Sequence, residues 1–140
     1  MDHEISCDWK GGMAFESDIQ GHKVMMDAVP EFGGKDSGPS PKRLVLAGLA
    51  GCTGIDIASL IKKMHLEVDD FDIQVGGDLT EEHPRFYSRI HVNYTFYGAK
   101  LDPPKIEKAV ALSWDRYCGV AEQLRCAASM SFEINYQEAK

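Results

Sequence analysis

The stretch Ser40-Pro41-Lys42-Arg43-Leu44-Val45-Leu46-Ala47-Gly48-Leu49-Ala50-Gly51-Cys52-Thr53-Gly54-Ile55-Asp56-Ile57-Ala58-Ser59-Leu60-Ile61-Lys62-Lys63-Met64 reads as a single long helix. Ser40 suits the N-cap, and Pro41 the first helical position, where its missing N–H is no loss. Lys62, Lys63 and His65 gather at the far end, where positive charge complements the helix dipole. In between, apolar residues cover nearly the whole circumference, the pattern of a helix buried on most sides. Three glycines inside it each cost about 1 kcal/mol against alanine. Ala47, Gly51, Gly54 and Ala58 recur every three or four residues and draw a smooth stripe that suits the close approach of another backbone. Cys52 sits in the middle of this helix.

The 140 residues around it fit one domain, 1–140, long enough to bury a core. A net charge of −7 without basic runs argues against nucleic acid or an anionic membrane surface as partner. No apolar run reaches about 18 residues without interruption by charge or glycine, so no membrane span is expected. The N-terminus, Met1-Asp2-His3-Glu4, has no hydrophobic signal core, which points to the cytoplasm, where thiols stay reduced. Cys7, Cys52, Cys118 and Cys126 show no C-x-x-C pairing and no zinc-like histidine spacing, and no metal or other cofactor is expected.

Outward from the helix, alternation at 4–10, the Gly11-Gly12 turn, a return at 13–19 and a third run at 22–29 predict an antiparallel meander. Its thin apolar content requires a later pairing partner. Residues 30–39, rich in glycine and proline, predict a mobile rim loop. After the helix, 66–80 predicts a strand with a bulge at Gly76-Gly77, and 85–97 a strong alternating strand. Asp102 caps a helix carrying Ile106, Ala109, Val110 and Leu112; a short helix begins near Cys118, and a last strand covers 127–136. The order is that of an α+β fold, antiparallel sheet with helices on one side. A smooth apolar helix thinly covered by its own chain also suggests a homodimer.

The segments Ser40-Pro41, Ala50-Gly51-Cys52-Thr53, Leu112-Ser113-Trp114-Asp115-Arg116-Tyr117-Cys118-Gly119-Val120 and His83-Pro84 through Gly98 resemble those of the OsmC/Ohr family, the osmotically induced and organic hydroperoxide resistance proteins. The resemblance covers roughly residues 13–137. It implies an OsmC-like intertwined homodimer, with antiparallel sheets wrapped around long central helices. It further implies catalytic Cys52 and Cys118: the first attacks an organic hydroperoxide and becomes a sulfenic acid, the second closes a disulfide, and a dithiol reductant reopens it. The chain departs from the peroxidase members in two places. Lys42 follows the helix-opening proline where those members typically carry glutamate, and no arginine precedes Arg43.

Taken residue by residue, two readings of the thiols stay open. A cysteine on an apolar helix is commonly a small hydrophobe, and Asp56 one turn away would disfavour its thiolate. A reactive Cys52 needs a cation from elsewhere, such as Lys42, Arg43 or Lys23. Cys118 has better local physics, since backbone amides at a helix start favour a thiolate and Arg116 is near in sequence. Cys7 and Cys126 read as structural, His83 as a surface residue and His65 as a helix-end cation. His91 should face solvent. Trp9, Trp114, Tyr87 and Tyr94 suit a core, an interface or the wall of an apolar pocket. No phosphate cradle and no Ser-His-Asp arrangement is evident. The alternative to a peroxidase is therefore a non-peroxidatic dimer that binds an apolar small molecule or senses redox state.

Overall fold

Strands β1 (Ser6–Trp9), β2 (Phe15–Ile19) and β3 (His22–Met26) form the expected antiparallel meander. The computed structural model describes residues 1–139. Ile19 pairs with His22, so Gln20 and Gly21 alone make the second turn, both with positive φ. Such a two-residue turn matches the twist of the flanking strands. Among the described residues the meander is a sheet of its own and pairs with no later strand, contrary to the sequence expectation. Its three strands satisfy one another, and the thinness of its apolar content shows instead as exposed side chains at Trp9, Phe15 and Ile19.

The following loop is gathered around one carboxylate. Buried Asp27 accepts hydrogen bonds from the Ala28, Lys35 and Ser37 amides at 2.7, 3.2 and 3.2 Å and from the Ser37 hydroxyl at 2.6 Å. The Ser37 hydroxyl is the chief cause that holds this carboxyl down at about 2. What reads in the sequence as a mobile rim is thus tied at both ends. Residues Met1–Val45 make one compact unit, and the chain from Leu46 onward makes a second.

Helix α1 (Pro41–Lys63) ends in a Schellman motif, with the Leu66 amide bonded to the Ile61 carbonyl at 2.9 Å and that of His65 to Lys62 at 3.3 Å. His65 takes the left-handed position, φ 52°, so it terminates the helix through its backbone. Only Leu49, Thr53 and Ile57, spaced by four, are buried. Ile55 is 74% exposed. A single chain therefore covers one stripe of α1, the thin coverage that the sequence reading takes as the sign of a homodimer. By length and composition α1 could cross a membrane, but a helix at the core of a water-soluble assembly has the same composition.

The second unit is built on β5 (Tyr87–Tyr97), flanked by β4 (Asp70–Leu79) and β6 (Ser129–Gln137). β4 runs antiparallel to β5, whereas β6 is parallel to it. The helical crossover between β5 and β6 brings the chain back in the same direction, so the sheet is mixed rather than wholly antiparallel. The bulge falls between Asp78 and Leu79, beyond the glycines expected to mark it. Gly77 serves another purpose: a Cβ there would lie 2.6 Å from the Tyr87 ring.

The crossover holds α2 (Pro103–Leu112), a π-helical turn at Ser113–Tyr117, and α3 (Gly119–Arg125). Asp102 caps α2 by accepting from the Lys105 amide at 3.3 Å, as its sequence position indicates. Ile90, Val92, Tyr94 and Phe96 of β5 pack with Leu49 and Ile57 of α1 and Ile106 and Val110 of α2 in one core. Each fully buried aliphatic or aromatic side chain contributes about 1.5–3 kcal/mol. The architecture is α+β, with two three-stranded sheets and three α-helices among the described residues, in agreement with the sequence reading of the fold class.

A cysteine pair beside a buried hydroxyl chain

The fold brings Cys52 and Cys118 together in the core of the second unit. Cys52 is half-buried on α1; Cys118 is 4% exposed. The π turn sets the position of Cys118, because its amide reaches back five residues to the Ser113 carbonyl at 2.8 Å. Cys118 then becomes the N-cap of α3, with its sulfur accepting from the Ala121 amide at 3.3 Å. That amide favours the thiolate, as the sequence reading expects, but burial outweighs it and pushes the Cys118 thiol up to about 11. The neighbouring Cys52 thiol and the Asp56 carboxylate push in the same direction. At neutral pH Cys118 is protonated.

Alongside the thiols runs a chain of polar side chains that no sequence motif announces. The Thr53 hydroxyl is 2.8 Å from the Tyr94 phenol and 2.8 Å from the Ser113 hydroxyl, and Ser113 donates to Asp56 at 2.9 Å. Tyr94, Thr53 and Ser113 are fully buried. Desolvation is the main cause that raises the Tyr94 phenol to about 12. Tyr94 reads from sequence as a core aromatic and is one, yet its hydroxyl also closes this chain. The available signal is the polar pair Thr53 and Asp56 within the apolar middle of α1, between Leu44 and Ala58; Ser113 joins them only through the fold.

The remaining candidates lie elsewhere. Trp114 is buried against Phe132 at 4.9 Å, and Arg125 sits 5.9 Å from its ring while donating to its carbonyl at 2.7 Å. Trp9 is 67% exposed, its indole N–H on the Gly12 carbonyl at 2.9 Å. Lys23 pairs with Asp18 at 2.9 Å, and Arg43 donates to the Ser40 hydroxyl at 3.3 Å. Cys7 and Cys126 are exposed and free, not packed in a core. His91 lies on the open face of the second sheet, with Ser131 at 2.7 Å and Glu133 at 3.1 Å. This serine–histidine–carboxylate row borders a depression of about 480 Å³ lined by Gly76, Gly77, Asp78, Arg89, His91 and Ser131. The His91 side chain is 43% exposed, so water competes for each of its bonds.

A long helix and a helical crossover on an α+β frame thus make the two thiols neighbours. The chain belongs to the OsmC-like protein family, whose profile matches residues 34–133. Protein YhfA of Escherichia coli K12 is 31% identical over 129 residues, 90% of this chain and 93% of its own length. A hypothetical protein from Aquifex aeolicus VF5 has a similar structure, with a TM-score of 0.82 at 26% identity over 97% of this chain and 98% of that one. The organic hydroperoxide resistance protein OhrB of Bacillus subtilis shares the fold, with a TM-score of 0.65 at 19% identity over 96% and 98% of the two chains.

Proposed function

We propose that the protein is a cytoplasmic, thiol-dependent peroxidase that reduces organic hydroperoxides through Cys52 and Cys118. The observation that carries this reading is the placement of the two thiols, within each other's influence but unequal in access. Half-buried Cys52 is the thiol a hydroperoxide can reach, and deeply buried Cys118 suits a resolving role. In the first step the Cys52 sulfur attacks one peroxide oxygen, the O–O bond breaks and an alcohol leaves. Cys52 is then a sulfenic acid. In the second step Cys118 attacks that sulfur, a disulfide forms, and its proton leaves with the displaced hydroxyl as water. A dithiol reduces the disulfide by exchange, which restores both thiols.

Activation of Cys52 requires positive charge, and the groups acting on Cys118 from inside the unit are neutral or negative. A second copy of the chain is the natural source, through Lys42, Arg43 or Lys23. The broad apolar surface of α1 left uncovered by its own chain, with Ile55 74% exposed, supports a homodimer in which two such helices share one core. Alkyl hydroperoxide consumption in the presence of a dithiol tests the reading. Cys52→Ser should abolish it and Cys118→Ser should leave a single turnover. Equal background rates in wild type and Cys52→Ser would rule the peroxidase out. The second reading, a redox sensor or a binder of apolar small molecules on the same dimer, is favoured by the protonated Cys118 and by Lys42 at the helix start. It calls for slow oxidation of Cys52 without turnover.

A further inference from the structure

Asp56 lies one helical turn after Cys52, and its carboxylate terminates the buried hydroxyl chain. A carboxylate only accepts hydrogen bonds, and each hydroxyl has a single proton. Ser113 therefore commits its proton to Asp56 and must accept from Thr53; Thr53 must in turn accept from the Tyr94 phenol. The charge at one end sets the direction of all three bonds and polarises each of them. The chain crosses three elements: α1 through Thr53 and Asp56, the π turn through Ser113, and β5 through Tyr94. Two of its members adjoin the thiols directly. Thr53 follows Cys52 in sequence, and the Ser113 carbonyl holds the Cys118 amide at 2.8 Å.

We propose that Asp56 is the positioning residue of the cysteine pair: its charge fixes the hydroxyl chain in one direction, and the chain holds the π turn, with Cys118, against the Cys52 turn of α1. The role presupposes that the two thiols form a disulfide. An amide at position 56 would present either an acceptor or a donor to Ser113, so the chain would lose its single direction and the π turn its single placement. It would also remove a negative charge from the surroundings of Cys118. The groups that face Cys118 are Cys52 and Asp56 from α1, the Tyr94 phenol from β5 and the Ala121 amide from α3. Among these, Asp56 is the one carboxyl group.

The test uses the full-length protein and two readouts. Disulfide closure after one equivalent of diamide should slow about fivefold in Asp56→Asn and in Thr53→Val, the factor carried by one net buried hydrogen bond. Thr53→Ser, which keeps the hydroxyl, should close at the wild-type rate. In a Cys52→Ser background, Asp56→Asn should move the alkylation midpoint of Cys118 to lower pH, a change that a purely structural role would not produce. Unchanged closure in Asp56→Asn overturns the proposal whether or not the midpoint moves, and an unmoved midpoint overturns it as well. If Asp56→Asn fails to fold, equal closure rates for Thr53→Val and Thr53→Ser overturn it instead. Closure by diamide and the alkylation midpoint are both read without hydroperoxide, so failure of peroxidase activity leaves this test intact.

Discussion

Thr53→Val changes one atom's chemistry and little of the residue's shape, and it removes the middle of the hydroxyl chain. In the native protein Thr53 bonds both the Tyr94 phenol and the Ser113 hydroxyl at 2.8 Å, with all three residues fully buried. Valine leaves the phenol without its acceptor, and an orphaned buried donor costs about 1–3 kcal/mol. Tyr94→Phe is milder, since Thr53 keeps its bond to Ser113; its expected cost is about 1 kcal/mol. With both changes, phenyl meets isopropyl, and no orphaned phenol remains. The double variant should then be more stable than the sum of the two singles by about 1 kcal/mol. For 140 residues the unfolding entropy is about 0.3 kcal/mol/K, so a 2 kcal/mol loss lowers Tm by about 7 °C. Urea denaturation of all four proteins at one fixed protein concentration measures the cycle and holds any contribution from subunit association constant. Additivity within about 0.5 kcal/mol would refute the claim that these hydroxyls form one connected chain.

Two further outcomes follow from features outside that chain. Ile55→Lys places a charge on the bare face of α1, where Ile55 is 74% exposed; sedimentation should show a dimer in wild type and a monomer in the variant. A monomeric wild type would exclude α1 as the shared core. Asp27 has a folded pKa of about 2, below its ordinary value of 3.8, so its stabilisation of the 28–37 loop is complete above about pH 4 and is lost as pH falls through 2. Asp27→Ala should reproduce that loss at neutral pH, read as faster amide exchange at Lys35 and Ser37; unchanged exchange at these two amides would show that the loop is held by other means.

The elements that announce themselves in the sequence are those with local chemistry. Ser40-Pro41, Asp102-Pro103-Pro104 and the Gly11-Gly12 turn act within a few residues, and α1, α2 and the meander follow from them. Alternation along β5 correctly selects Ile90, Val92, Tyr94 and Phe96 as core. Direction was another matter. Nothing in Ser129–Gln137 says which way β6 lies against β5, because a strand's own pattern is the same in parallel and antiparallel pairs. The π turn is equally silent, as its signature is a single hydrogen bond reaching five residues instead of four. With it went the exact seat of Cys118 and the bond from Ser113 to Asp56, which joins residues 57 apart. The division of α1's burial is not legible either, because an apolar circumference looks the same whether its own chain or another covers it.

The parallel pairing of β6 with β5 also gives the two ladders of the second sheet very different loop lengths. Arg89 faces Ser129 and Tyr97 faces Gln137, so each rung of that ladder joins residues forty apart. The β4–β5 hairpin closes a far shorter loop. Loop-closure entropy must be met before non-local contacts reward it, so the hairpin can precede the parallel ladder. Cys118 travels on the connection that the ladder closes, while Cys52 rides on the helix before it. The two thiols lie on either side of β4 and β5 in the chain, and their contact reports that the helical crossover has folded back onto α1.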